Sequence, residues 1–502
     1  MSEYEYFPVN GYRFVAPDID FAPDVIVFRS GDYAIAKDKN GDIIAISKDH
    51  ASVIQAAINH TAEQGGGKVY IKKGTYTLSG DTYALKALSN VALVGEDAVL
   101  RGDGKVLRLI WIPSDVARFR IEGLILENAA ERAVWISGGS DITIIDNEFR
   151  NNTGLAIYCA DVVTRLRIEG NYIHDNGGGM DVRAKPGVIA RNIITNNGGG
   201  AIVFRNSQYV VVEENYIDYN AGNGIDPSGS PDVIIRGNIV RRCGQDYTGT
   251  QEQRGITALG ERTVVVGNLV EECGEYGIGV WNIGNIVIAG NIVRNNGKAD
   301  RYKYGILIHA SEGYTVTNVV VIGNRCYDDQ DTKTQDYGIA WEGPGTITKI
   351  LIAYNDIEGN GIAGTNFGAG QDWYIVNNWG FSTEIFKASV SPSIGVNDTY
   401  GSASNVYSPS GRITLIRGVK ITWEGTFGTD ETVTVLVRSH FSDGTSATVT
   451  KSASATGSVW LTDDELLTLH KNGVHIRRIE TRAKTNLSST DVTVTVNVFG
   501  AG

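Results

Sequence analysis

Proline, histidine, cysteine and methionine are all scarce in this chain: 10, 7, 4 and 2 of 502 residues. No CxxC, HExxH or Walker pattern occurs, so the motif-borne metal and nucleotide sites are not expected. The few cysteines fit packing better than a disulfide or a metal site. Cys243 and Cys273 stand at equivalent places in neighbouring repeats, and Cys326 stands in an apolar column. No apolar run approaches the length of a membrane span, which excludes a membrane partner from the reading. The amino terminus, MSEYEYFPVN, lacks a basic start followed by an apolar stretch, so no secretory signal is expected. Basic residues are outnumbered 45 to 57, for a net charge of −12. A phosphate backbone wants a basic surface, so nucleic acid is not the expected partner. Helical periodicity is also missing from most of the chain.

Glycine, at 61 residues, is plentiful. Between Ile121 and Gly380 a motif near V-x-V/I-x-G-N-x-I/V recurs, as in IEGNYIHDN and IAGNIVRNN. Its asparagines are Asn128, Asn147, Asn171, Asn192, Asn215, Asn238, Asn268, Asn291, Asn324, Asn355 and Asn378. Most spacings are near 23, with longer ones of 30, 33 and 31, so this is an internal repeat with loop insertions. β-Branched residues such as Ile144, Ile168, Ile189, Ile235, Val265 and Ile288 stand three before the marker. A second apolar column stands two after it. A third follows a glycine and reads Leu155, Met180, Ala201, Ile225, Ile256, Ile278, Ile306 and Ile339. Three short alternating segments per repeat are strands, and stacking them about 4.8 Å apart makes a parallel β-helix. The marker asparagines then form an interior ladder at a turn, where Asn tolerates a left-handed backbone and satisfies buried amides. A second polar ladder five residues on includes Asn152, Asn176, Asn197, Asn220, Cys243, Cys273, Asn296, Asp329 and Asn360.

Residues 1–45 read as a β lead-in with a hairpin at Asn40-Gly41. Residues 50–64 are amphipathic at helical spacing and are expected to cap the first coil. The expected domains are the lead-in, the β-helix at 46–388, a Ser/Gly/Pro-rich linker at 389–411, and a β-sandwich at 412–502. One helix is expected in TDDELLTLHKNG, with Thr462 and Glu465 as a capping box.

The stretch SVIQAAINHTAEQGGGKVYIKKGTYTL resembles the entry segment of the pectate-lyase-like superfamily of right-handed parallel β-helices. With the coils, the resemblance covers roughly residues 45–380. It implies an all-β fold, right-handed winding and a polysaccharide ligand. Lyases, polygalacturonase-type hydrolases, mannuronan C-5 epimerases and phage tailspikes share that scaffold, so it does not fix the reaction. NGIDPSGS (223–230) resembles the Y-G-F-D-P-H segment of the epimerases. Gly224, Asp226 and Pro227 match. Asn223 and Ser228 stand where that family has its tyrosine and histidine, so the proton-transfer pair is absent.

Three long insertions leave the same place in the coil, before Gly255, Gly305 and Gly338, and one shared edge is how repeat proteins build binding loops. Counting on from the glycines, one outward column holds Ala156, Asp181, Ile202 and Asp226. The next holds Tyr158, Arg183, Phe204, Ser228, Trp281, His309 and Glu342. Aromatics beside carboxylates line sugar grooves. Asp226 is the expected catalytic acid, under the loop carrying Asp246, Glu252 and Arg254. Asp181, two coils away beside Arg183, is the expected base, held ionised by that cation. Arg183, Glu252, Arg254, Trp281, His309 and Glu342 are the expected substrate-binding residues. Under β-elimination, Arg183 or Lys185 would instead lie nearer the base. No cofactor is expected. Ca²⁺ would have only Asp181 and Asp226 as aligned acids, a weak set for an ion that takes several oxygens. The expected activity is cleavage of an extracellular polysaccharide by hydrolysis or elimination. The alternative is a non-catalytic glycan binder, an adhesin or a tailspike-like virion protein. Extracellular or virion-surface placement goes with both readings. A homo-oligomer goes with the second, a trimer in the tailspike-like case.

Overall fold

The computed structural model describes residues 23–244, 252–299, 301–365, 373–376, 378–379, 386–406, 415–470 and 476–501. Most of the lead-in's first half, residues 245–251 of the longest insertion and residues 407–411 of the expected linker lie outside them. Two compact units form. One runs to Ala363 apart from 320–322 and 347–358, and the other takes those stretches and everything from Gly364.

In the first unit, parallel strands stack coil on coil. Successive coils place Ile168 beside Ile189, Val212 and Ile235, all fully or almost fully buried. The second column runs Ile173, Ile194, Ile217 and Val240. The third runs Ile157, Met180, Ile202, Ile225 and Ile256. Ile256 continues to Ile278, Ile306 and Ile339. Leu155 and Ala201 are thus not in this column: Leu155 pairs with Gly178, and Ile202 fills the place expected for Ala201. After the glycine run 198–200 the column residue is Ile202, two beyond Gly200, so counting one on from the glycine falls a residue short.

The asparagine ladder runs from Asn147 to Asn324, each Nδ2 donating to the next Oδ1 at 2.9–3.1 Å. Each of these acceptor oxygens also takes a backbone N–H of the preceding coil, as Asn215 Oδ1 does from Asn192 at 3.0 Å. Asn128 is exposed, and its place is outside this chain of bonds: Asn147 Oδ1 accepts from Leu124. The left-handed residue of each turn is not the ladder asparagine but the one before it, for example Asp146, Gly170, Arg191, Glu214 and Gly237. That placement frees the asparagine amide to point inward. In the second ladder Asn296 donates to Gln335 and Gln335 to Asn360. Asp329 instead accepts from Asn295, because the insertion after it carries Gln335 into the ladder position.

The hairpin at Asn40-Gly41 joins antiparallel strands Tyr33–Asp38 and Ile43–Ser47. A helix follows at His50–Glu63, capped by Asp49 and burying Val53, Ile54, Ala57 and Ile58. Within the second unit, coil-type pairing sets Ile350 beside Trp373, and Asn355 donates to Asn378. Two further sheets share one apolar core that includes Val419, Ile421, Val435, Val437, Ile479 and Val496. The helix Asp463–Thr468 carries the Thr462–Glu465 capping box. Residues 389–406 are not a free linker. Phe386–Val390 pairs with Thr493–Ala501, and Ser404–Val406 pairs with Ile476–Thr485. Turn-rich composition concealed short edge strands whose Val390 and Ile394 pack on the core.

Candidate functional site

The third sheet of the first unit presents two outward columns. In the nearer one, Tyr158, Asp181, Val203 and Asp226 are in register. Tyr158 and Val203 occupy the places expected for Ala156 and Ile202. Asp181 and Asp226 are therefore two coils apart, about 9.6 Å between backbones at the spacing of paired strands. In the farther column, Trp281, His309 and Glu342 follow one another. Phe204 faces the core, paired with Val182 and fully buried, and the outward residue there is Arg205.

Asp226 is 8% exposed. Its Oδ2 accepts from Asn223 Nδ2 at 3.1 Å, while Oδ1 is buried with no partner. The same Asn223 nitrogen donates to Glu252 Oε2 at 3.0 Å. These two oxygens share one donor nitrogen, so they lie no more than about 6 Å apart. Burial pushes the Asp226 carboxyl above the ordinary range, and the Glu252 charge adds to the shift against the Asn223 bond and the arginines nearby. Asn223 is held in turn by the Arg254 backbone N–H on its Oδ1. Arg254 pairs with Glu252 at 2.9 Å and with Glu275 at 3.2 Å, and its guanidinium lies 5.0 Å from the Trp281 ring centroid.

Trp281 and His309 stack at 3.6 Å and 16°. Tyr302 meets the Trp281 ring edge-on at 5.6 Å. Burial, helped by Arg254, holds the His309 imidazole below its usual pKa, and its Nδ1 has no partner. Burial also raises Glu342, which accepts from Tyr304; that phenol is pushed up to about 12. The described parts of the three insertions converge here. Glu252 and Arg254 reach Asn223, Arg301 reaches Glu275, and Tyr304 lies beside Tyr337 at 6.0 Å. Asp246 lies outside the described residues.

The surroundings of Asp181 differ from those expected. Burial pushes its carboxyl up as well, against the pull of Arg205 and Arg183. Its ion pair is with Arg205 at 3.3 Å. Arg183 turns back to the Cys159 carbonyl and the Tyr158 ring. Sequence counting missed Arg205 because the glycine run shifted that strand by one. It also missed Glu275, which lies buried under Arg254 and Arg301 in a turn where no column could mark it. Among the described residues, no group of three or more His, Cys, Asp or Glu side chains is gathered to hold a metal ion.

The coils match a family model described as "Right handed beta helix region" over residues 132–291, 189–350 and 247–379. The chain is a right-handed parallel β-helix protein, as the repeat and the entry segment indicated. A curated relative is the SPbeta prophage-derived uncharacterized protein YomE of Bacillus subtilis, 25% identical over 264 residues. That alignment takes in 44% of this chain and only 40% of the relative. Among solved structures, the A-module of Azotobacter vinelandii mannuronan C-5 epimerase AlgE6 is similar with a TM-score of 0.56 and 20% identity. The match covers 66% of this chain and 95% of the module, and it is a likeness of fold. The Dettilon tailspike protein gives a TM-score of 0.47 at 14% identity, over 87% of this chain and 91% of its own.

Proposed function

We propose that the outward face of the third sheet binds a polysaccharide and hydrolyses a glycosidic bond, with Asp226 as the acid. The observation that carries this reading is the Asp226 carboxyl: buried, raised in pKa, with one oxygen unpartnered, beside the Glu252 charge and next to an aromatic stack. A carboxyl whose pKa is raised by burial suits proton donation to a leaving oxygen. Glu252 is its partner in place of Asp181, whose own carboxyl is pushed up. As Asp226 protonates the bridging oxygen, the C1–O bond breaks and Glu252 attacks C1. Water then cleaves the glycosyl ester while Asp226 takes back a proton. Trp281, His309 and Arg254 hold the sugar, and Glu342 with Tyr304 supplies hydrogen bonds at the far end. No metal step is needed, so a chelator should leave cleavage unchanged.

The fold likeness to a mannuronan epimerase supports a sugar polymer as ligand, and the prophage origin of the Bacillus relative supports a place at a virion or outside the cell. A homo-oligomer belongs to the same reading and is tested by light scattering. The deciding experiment incubates a panel of acidic and neutral polysaccharides with the protein, reading reducing ends and the absorbance of unsaturated sugars. Reducing ends without unsaturation are expected, with retained anomeric configuration. Asp226→Asn should lower the rate by about 10²–10⁴-fold. Unsaturated products would move the reaction to elimination, and inverted products would return Asp181 to the base role. A protein that binds glycans but releases no ends would be a binder using the same face.

A further inference from the structure

The column that carries Asp181 and Asp226 does not begin at Tyr158. Traced back in register, it runs through Trp135 and Trp111 to Lys86. It is one outward line from Lys86 to Asp226, and its first half differs from its second. Beyond Asp181 the line holds Val203, and past Asp226 small or aliphatic residues such as Gly279, Leu307 and Ala340. Before Asp181 it is aromatic and interleaved with cations.

The Arg108 guanidinium lies 3.5 Å from the Trp135 ring centroid. Arg132 lies 4.8 Å from the same ring and 4.4 Å from Tyr158, and Arg183 lies 5.6 Å from Tyr158. The Lys86 ammonium lies 5.5 Å from Trp111. Both indole N–H groups donate to one acceptor, Ser137 Oγ, at 2.9 and 3.2 Å, which fixes the rings that carry the cations. Glu131 is the acid paired with Arg108 and Arg132. Three guanidiniums and an ammonium thus line one run of aromatic rings, with Glu131 paired to two of them and Asp181 drawing on Arg132 and Arg183. The chain as a whole carries −12.

Covering a sheet needs no such arrangement, since uncharged side chains do so farther along the same column. Cations held side by side repel, and aromatic faces offset that only in part. What they gain is preorganised donor forks, suited to carboxylate or sulfate groups. We infer that the line from Lys86 to Tyr158 is a second binding stretch, which holds a negatively charged polysaccharide along the sheet and feeds it toward the carboxyl face. Aromatic edges meet the sugar rings, and the arginines meet their anionic groups. The feeding role rests on the hydrolytic reading above; the binding does not.

The test uses the full chain carrying Asp226→Asn, so that nothing is cut, titrated with dextran sulfate, polygalacturonate, uncharged dextran and oligothymidylate. At least one charged polysaccharide should bind ten or more times tighter than dextran and tighter than the oligonucleotide. A sulfate or a carboxylate preference tells which anion is read. Raising salt from about 50 to about 200 mM should weaken that binding severalfold. Arg108→Gln with Arg132→Gln should weaken it at least tenfold at an unchanged melting temperature. Binding that ignores salt, that is equal for dextran or stronger for oligothymidylate, or that is absent for every probe would overturn the inference. If the double variant melts lower, the salt and dextran comparisons on the parent decide alone. Charged-glycan binding by a wild-type protein that releases no reducing ends would remove the hydrolytic reading and leave this one standing.

Discussion

Two polar stacks run through the same coils and are treated in opposite ways. At the turn, the two Nδ2 hydrogens of Asn215 are shared among Asn238 Oδ1 and the Ile189 and Glu213 carbonyls, and its Oδ1 accepts two bonds from Asn192. On the outward face, Asp181 Oδ1, Asp226 Oδ1, Glu342 Oε2 and His309 Nδ1 are all buried without a partner. Buried polar groups are nearly always satisfied, and each exception asks for a reason. The turn stack is a structural device that repeats because the coil repeats. The outward face carries four polar atoms whose hydrogen bonding is unmet within the fold.

The sharpest way to break this contrast is to damage the saturated stack. Asn215→Ala strands the Asn192 backbone N–H and removes every side-chain bond of that rung, so unfolding in denaturant should show a loss of about 3 kcal/mol or more. A loss below about 1 kcal/mol would mean that the ladder is decoration. Trp281→Ala probes the other stack. It takes away one side of the Trp281–His309 pair and should weaken glycan binding about tenfold, ~1.4 kcal/mol, measured by titration. Unchanged binding would remove Trp281 from the site.

What could be read from the sequence follows the same division. The ladder and the inward columns were legible because every coil restates them, so Ile235, Val265 and Ile288 could be assigned to the core from spacing alone. Legibility failed where the repeat was interrupted. The insertion 330–337 hid Gln335 behind Asp329, and the glycine run hid Arg205 behind Phe204. The line Trp281–His309–Glu342 was visible as a column, and so were Asp181 and Asp226. Their partners were not. That Asn223 bridges Asp226 and Glu252 depends on a loop folding back over 29 residues, which no local pattern encodes.

Asp226 can serve as the acid only as a carboxyl whose charged form the fold disfavours. Burial and Glu252 raise its folded-state pKa above the unfolded value. Its contribution to stability is then fully present below the unfolded pKa and is lost as pH rises through the folded one. Asp226→Asn, which never ionises, removes that loss. The measurement is the melting temperature of the wild type and of Asp226→Asn across pH. The variant should match the wild type at pH values below the carboxylate range and melt higher above it. A variant that melts lower at neutral pH, with the gap closing as the pH falls, would show that the Asp226 charge is stabilised by the fold, and the case for Asp226 as the acid would fail.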